Sequence, residues 1–202
     1  VLGIAADEFA DHGLHGASTE LMARRAEITQ AYIFRMFGTK KALFLEVMVG
    51  AFDRMTEGMR EAAGSETGLE ALGRMGARYN EALADRTSLL LQLQGFAACG
   101  DPEVRHEVRA SFGRMWQMVA ETTGLDPVTV KAFLAFGMLL NNGAALQVGD
   151  VNEPWAHGIR TRIRPRLFDH ITATTNRSAP APASVRTGPS TGYPSTGDRP
   201  VR

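Results

Sequence analysis

The spacing of apolar residues is the feature that most restricts what this chain can fold into. From Leu2 to about Thr123 apolar residues recur every three or four positions, while alternating β-branched residues are scarce. A repeat of 3.6 residues places apolar side chains on one face of an α-helix, whereas a half-buried strand requires strict alternation. The sequence therefore predicts an all-α protein.

Helix-start and helix-stop residues divide this pattern into separate helices. Gly13 and Gly38 can close helices in the left-handed conformation, and Ser18, Thr29 and Thr39 can cap the helices that follow them. The predicted helices cover about 2–13, 18–25, 29–37, a long stretch from 39, Leu69–Asp85, Ser88–Cys99, Pro102–Thr123, Pro127–Val148 and Trp155–Ile171.

Composition excludes several classes of protein. Hydrophobic residues make up 44% and charged residues 22% of the chain, which are ordinary values for a soluble globular protein. The longest apolar run near the middle, Ala132–Leu140, is too short to span a bilayer, so we expect no transmembrane segment. The single cysteine, Cys99, cannot form an intrachain disulfide, which favours a reducing compartment and a cytoplasmic location. The chain starts at Val1 without a signal-peptide pattern, and we expect further residues to precede it.

Charges cancel over the whole chain and over its first part. The 22 basic residues balance the 22 acidic ones, and residues 1–45 carry five of each. The sequence therefore has no overall basic field of the kind that draws a protein onto nucleic acid. Any contact with DNA must depend on the local placement of cations.

Two short helices near the N-terminus have the layout of a helix-turn-helix. They are joined by a turn around Glu27 and Ile28 and are preceded by a supporting helix. If Ile33 and Phe37 anchor the second of them, its other face can enter a major groove. That face carries Gln30, Tyr32 and Arg35, whose side chains are suited to reading bases. Gln can form two hydrogen bonds to adenine, Arg can form two to guanine, and Tyr can reach a phosphate or a thymine methyl group.

Two lysines follow directly, in a position that a helix dipole disfavours. Lys40 and Lys41 lie in the first turn of the fourth predicted helix, where a bound phosphate would reverse the unfavourable interaction. We interpret the pair as a phosphate-binding feature. The alternative is two solvated lysines.

The first 45 residues resemble the N-terminal domain of the TetR family of bacterial transcriptional regulators. The resemblance is carried by the segments Phe9–Gly13, Ala17–Thr19, Met22–Ala23, Ile28–Phe37 and Thr39–Phe44. It implies an all-helical homodimer in which each subunit has an N-terminal DNA-binding domain. It also implies a larger C-terminal domain that dimerises and binds a small molecule, whose binding spreads the recognition helices and releases the operator.

The resemblance also implies which residues contact double-stranded operator DNA. Phe34 stands where the family usually has a tyrosine that touches phosphate, so this hydroxyl contact is missing here. Glu27 stands where the family usually has a glycine, which puts the left-handed geometry of the turn in question and adds a negative charge near DNA. The positions that match DNA-contacting positions of the family are Ser18, Thr19, Thr29, Gln30, Ala31, Tyr32, Phe34, Arg35 and Lys40.

These patterns divide the chain into three expected regions. Residues 1–45 form the helix-turn-helix domain, and residues 46–175 form a helical domain for ligand binding and dimerisation. Residues 176–202 are rich in Pro, Ser, Thr and Gly, and we expect them to be disordered.

The candidate ligand site depends on composition. Nine Met and ten Phe residues could line an adaptable apolar cavity for a small, largely apolar effector, with ordinary core packing as the favoured alternative. The segment Phe133–Leu146 is apolar nearly all round, which favours a subunit interface, with an internal core helix as the alternative. The candidate pocket residues are Met75, Tyr79, Phe96, Cys99, Met115, Trp116 and Phe133.

Enzyme and metal sites receive little support from the sequence. Glu103 and His106 have the spacing used in di-iron bundles, and Glu153 and His157 lie four apart, but a second matching pair and further carboxylates are lacking. Cys99 lies in an apolar run, as expected for a buried inert thiol. We therefore predict a non-enzymatic regulator without a cofactor or a metal. The alternative is a helical-bundle enzyme or ligand carrier whose N-terminal motif is incidental.

Overall fold

The computed structural model describes residues 1–161 of the chain. Within that range the secondary structure consists of α-helices and one short 3₁₀ helix, with no strand, so the all-α prediction is confirmed. The elements are α1 (Leu2–Gly16), α2 (Thr19–Arg25), α3 (Gln30–Phe37), α4 (Lys40–Ala63), α5 (Gly68–Ala82), α6 (Arg86–Ala97), α7 (Pro102–Thr123), α8 (Pro127–Ala145), the 3₁₀ helix (Val148–Asp150) and α9 (Pro154–Arg160).

The predicted caps start the helices as expected. The hydroxyls of Ser18, Thr29 and Thr39 each accept a hydrogen bond from a backbone N–H three residues ahead, at 3.0–3.2 Å. Asp101 and Asp126 cap α7 and α8 in the same way, each directly before a proline that needs no partner for its nitrogen. Local side-chain chemistry therefore fixes where these helices begin.

The first helix continues past the residue that was predicted to end it. Gly13 has the expected positive φ of 67°, but Leu14 to Gly16 turn helically again, and Ala17 N–H donates to the Gly13 carbonyl at 3.2 Å. α1 is therefore kinked at Gly13 and ends at Gly16. The kink lies against α6, where only glycine fits, because a Cβ at Gly13 would lie 2.7 Å from the side-chain oxygen of Gln94.

The long helix α4 connects the N-terminal helices with the rest of the molecule. It packs against α1, α5, α6 and α7. Phe44 on α4 meets Phe9 of α1 edge-on, with ring centroids 5.2 Å apart, and Phe52 meets Phe96 of α6 at 5.9 Å. One continuous apolar core thus extends from the N-terminal helices into the helical body.

Helix α8 is more apolar than its place in a helical bundle requires. It is 19 residues long, and it alone among the helices of residues 1–161 is long and apolar enough to cross a membrane. It also packs against α5, α6, α7 and α9, and fewer than a third of its residues are buried. One side of α8 therefore belongs to the bundle, while another side is uncovered.

The predicted helix over Trp155–Ile171 is only partly tested. α9 accounts for its first part, Pro154–Arg160. The remainder of that helix and the predicted disordered region 176–202 lie outside the described residues.

Candidate DNA interface and cavity

The turn between α2 and α3 adopts the left-handed geometry that was in question. Glu27 has φ of 54°, Glu27 N–H donates to Arg24 O at 3.2 Å, and Ile28 N–H donates to Ala23 O at 3.1 Å. These two bonds close α2 in the manner of a Schellman motif, although the left-handed residue is not a glycine. The helix-turn-helix geometry is thus kept at a conformational cost of about 1–2 kcal/mol.

This conformational cost predicts how a glycine at position 27 would change the stability of the protein. The change Glu27→Gly is expected to raise the free energy of unfolding by about 1 kcal/mol, because glycine adopts positive φ without steric strain. Thermal unfolding measures this as a higher midpoint temperature. Glu27→Ala is the matched control, since it removes the same charge but keeps the strain. Equal midpoints for the two variants would contradict the explanation.

Helix α3 presents a wide exposed face. Ile33 is buried and Phe37 half-buried, as predicted for the anchoring side, while Tyr32 is 40% and Met36 50% exposed. The guanidinium carbon of Arg35 lies 4.6 Å from the centre of the Tyr32 ring, in a cation–π contact. Two of the predicted base-reading side chains are therefore adjacent and point away from the body.

Gln30 is oriented by a contact that the sequence did not reveal. Its side-chain nitrogen donates to the Thr19 hydroxyl at 2.7 Å, which links α3 to α2. Thr19 itself is buried, whereas Ser18 and Thr29 are exposed. The bond uses one of the two Gln30 amide hydrogens and leaves its carbonyl oxygen, so Gln30 keeps a donor and an acceptor for a partner outside the chain.

The two lysines at the start of α4 point to different partners. Lys40 Nζ donates to the carbonyls of His15 and Ala17 at 3.1 and 3.2 Å, and so closes the end of α1. Lys41 Nζ contacts Asp101 at 3.2 Å and Glu103 at 2.5 Å at the start of α7. Lys41 is therefore engaged by carboxylates distant in sequence, and the phosphate-binding role of the lysine pair stays a prediction that rests mainly on Lys40.

Ion pairing determines which cations remain for a partner. Arg24 pairs with Glu20 at 3.1 Å, and Arg25 pairs with Asp7 at 3.7 Å. Arg35 and Lys40 have no carboxylate within 4 Å among residues 1–161. The positive charge that the N-terminal helices offer to DNA is therefore concentrated at α3 and the start of α4.

A cavity of about 670 Å³ lies within the helical body. Four of the seven candidate pocket residues, Tyr79, Phe96, Met115 and Phe133, are in its wall. Met75 is fully buried away from it, because its side of α5 packs into the core. The other residues that line the cavity include two phenylalanines from α4 and α7 and the middle of α8: Phe52, Phe112, Leu134, Phe136, Gly137, Met138, Leu139 and Leu140.

Cys99 and Trp116 lie elsewhere. Both line a second pocket of about 470 Å³ beside Arg105 and Arg109, outside the main cavity. Cys99 is half-buried, more accessible than predicted, and its thiol donates to Gly95 O at 3.4 Å.

Two amide side chains near the cavity were missed by sequence reasoning. Tyr79 donates its hydroxyl hydrogen to Asn141 Oδ1 at 2.8 Å, and burial raises the pKa of Tyr79, so the phenol stays neutral. The side-chain nitrogens of Asn141 and Gln92 have no hydrogen-bond acceptor within residues 1–161. The only sequence signal for Gln92 is an amide flanked by leucines in α6, and Gln94 two residues later shows the same pattern in part.

No metal site is formed by the described part of the chain. Residues 1–161 contain no group of three or more His, Cys, Asp or Glu side chains that could hold a metal ion. Glu103, which with His106 has the spacing used in di-iron bundles, forms an ion pair with Lys41.

Comparison with known proteins relates this architecture to one family. The sequence profile of bacterial regulatory proteins of the tetR family matches residues 1–47. No curated protein sequence matches the chain.

Solved structures share the fold over most of the chain. The TetR family transcriptional regulator PfmR from Thermus thermophilus is 18% identical, with a TM-score of 0.59, and the match covers 85% of this chain and 92% of that one. A proposed transcriptional regulator from Pseudomonas aeruginosa is 19% identical, with a TM-score of 0.56 and coverage of 86% and 85%. A proposed TetR-family regulator from a Rhodococcus species is 15% identical, with a TM-score of 0.55, and the match covers 87% of this chain and 94% of that one. Residues 1–47 therefore match the profile of bacterial regulatory proteins of the tetR family, and the chain shares its helical fold with these solved structures.

Proposed function

We propose that this protein is a repressor that binds an operator through α3 and is released when a small, largely apolar molecule fills the cavity. The observation that carries the proposal is the outward face of α3, where Tyr32 and Arg35 stack on each other beside an oriented Gln30. A two-turn helix that exposes these three side chains has the size and the hydrogen-bonding groups to read a major groove. The expected location is the cytoplasm, where the operator would be.

Each predicted DNA contact has a role in this proposal. Ala31, Tyr32 and Arg35 face the bases together with Gln30. Four of the remaining residues position the helix on the phosphates through hydroxyls, free amide hydrogens or charge: Ser18, Thr19, Thr29 and Lys40. Phe34 faces the same phosphates but has no polar group to bond to them. Lys40 retains one N–H for a phosphate after its two bonds to backbone carbonyls.

The missing hydroxyl at Phe34 yields a prediction of increased affinity. Phe34 is 38% exposed on α3, so a tyrosine hydroxyl there can reach a phosphate. Phe34→Tyr is expected to tighten operator binding at least about tenfold, since a hydrogen bond to a charged group is worth roughly 1.5–3 kcal/mol. Fluorescence anisotropy with a labelled duplex measures the change. Unchanged or weaker binding would contradict the assignment of this position to the backbone.

Helix α6 connects the cavity with the DNA-binding helices. Gln92 and Phe96 line the cavity, while Gln94 donates to the Ala10 carbonyl of α1 at 3.2 Å and Thr87 donates to Asp7 at 3.0 Å. A ligand that displaces α6 therefore acts on α1 directly. Because affinity for ligand and for DNA must be coupled reciprocally, operator DNA is expected to weaken ligand binding.

The uncovered side of the body is the proposed dimer interface. Leu146 is 66% and Trp155 53% exposed, and both adjoin the apolar helix α8. Exposed large apolar groups can mark interaction surfaces, and a second copy would pair two recognition helices for a two-fold operator. The expected helical domain, residues 46–175, would thus serve both binding and dimerisation.

A ligand carrier is the second candidate function, and the cavity is the observation that favours it. A mobility-shift assay with the DNA upstream of the protein's own gene separates the two. The repressor proposal predicts a retarded complex that disappears when apolar aromatic compounds of suitable size are added. Absence of any complex with the full-length protein would favour the carrier.

A further inference from the structure

The walls of the cavity offer almost no charge to a ligand. Arg160 is the single charged side chain that lines it within the described residues, and its guanidinium donates to the carbonyls of Gly149 and Val151 at 2.9 and 3.1 Å. Arg160 also donates to the Ala156 carbonyl at 3.3 Å, so most of its N–H groups are already used within the chain. A charged group placed among the phenylalanines, away from Arg160, would lose its hydration without gaining a counter-charge. The chemistry of the walls therefore favours a neutral molecule.

Aromatic rings dominate one wall. Phe52, Phe96 and Phe112 form a chain of edge-to-face contacts with centroid distances of 5.9 and 6.2 Å. All three rings line the cavity. An aromatic ring of a ligand can extend this chain with the same geometry.

Gln92 supplies the polar group of the site. It lies in the cavity wall, is only 3% exposed, and its side-chain Nε2 has no acceptor within residues 1–161. A buried donor without a partner is destabilising, and an oxygen acceptor on a ligand removes that cost. The other wall amide differs, because Asn80 already donates to the Gly76 carbonyl at 2.9 Å.

We propose that the cavity takes a neutral, largely aromatic molecule that bears a carbonyl-type oxygen, and that Gln92 Nε2 donates to this oxygen. Gln92 is thereby the specificity-determining residue, whereas the phenylalanines supply affinity for any apolar molecule of the right size. This inference rests on the cavity being the effector site of the proposed repressor.

A matched pair of compounds tests the role of the oxygen. Benzophenone and diphenylmethane have two phenyl rings each and differ in a carbonyl against a methylene group. Their affinities are measured by displacement of the fluorescent probe N-phenyl-1-naphthylamine from the intact protein. We expect benzophenone to bind about tenfold more tightly, the effect of satisfying one buried donor. Apolar transfer alone would favour diphenylmethane, so the two explanations predict opposite orders.

Two variants assign the preference to Gln92. Gln92→Met keeps the length of the side chain but removes the donor, and it is expected to abolish the preference while diphenylmethane still binds. Gln117→Met is the matched control, because Gln117 is an exposed amide of α7 that does not line the cavity, and the tenfold preference should remain in this variant. Equal affinities in the wild-type protein, no displacement by either compound, or a preference that persists in Gln92→Met would overturn the proposal.

The wild-type comparison stands even if Gln92→Met fails to fold. The charged analogue diphenylacetate provides a further reading on the same protein, and binding as tight as that of benzophenone would overturn the requirement for a neutral ligand. None of these measurements involves DNA. Loss of the benzophenone preference in a protein that binds its operator contradicts only this inference, whereas a clear preference in a protein that binds no operator contradicts the proposed function.

Discussion

Replacing Tyr32 and Arg35 together by alanine is expected to weaken binding to the upstream duplex about a hundredfold. The guanidinium fork and the phenol are the two longest polar groups on the exposed face of α3, and each good base contact contributes roughly 1–3 kcal/mol. Neither side chain is buried, so the fold should be unaffected. Fluorescence anisotropy of a labelled duplex measures the affinity, and circular dichroism checks the helix content.

The matched control is an arginine of similar exposure far from α3. Arg74 on α5 pairs with Glu66 at 2.8 Å and with Glu70 at 3.5 Å, and Arg74→Ala should leave operator binding within twofold. If the double variant bound the duplex as well as Arg74→Ala does, α3 could not be the recognition element.

Placing charges on the uncovered side of the body is expected to separate the dimer. The double change Leu146→Glu and Trp155→Glu should raise the dimer dissociation constant at least a hundredfold, because a two-fold interface contains each substituted residue twice. Sedimentation velocity at micromolar concentration measures this as a shift from dimer to monomer. Operator affinity should fall in parallel, since one recognition helix then binds alone.

Leu2 provides the control for this surface. It is an exposed apolar residue at the start of α1, remote in sequence from α8, and Leu2→Glu should leave the dimer intact. A monomeric wild-type protein, or a double variant that remains dimeric, would contradict the proposed interface.

The helices of this protein were predictable because their signals are local. Apolar spacing and the side chains of Ser18, Thr29 and Thr39 act within one turn, and the structure reproduces those starts. The kink at Gly13 was not predictable, since Gln94 from a distant helix packs against it. Positive φ at Gly13 was expected, but the continuation of α1 as far as Gly16 was not.

The candidate DNA face followed from sequence more readily than the cavity did. α3 has only eight residues and a clear apolar side, so its exposed side chains could be named in advance. The lysine pair shows where prediction from sequence fails, because Lys41 donates to Asp101, which lies sixty positions away in the chain. α8 is apolar nearly all round, and its sequence could not indicate which residues face the cavity and which face outward.

Hydrogen exchange with and without the upstream duplex tests the central claim most directly, since it reports where on the protein the DNA lies. The account predicts slower exchange in peptides that cover the segment from Thr29 to Lys40, with no slowing in α5. Formation of a protein–DNA complex in which this segment exchanges as fast as in the free protein would contradict it.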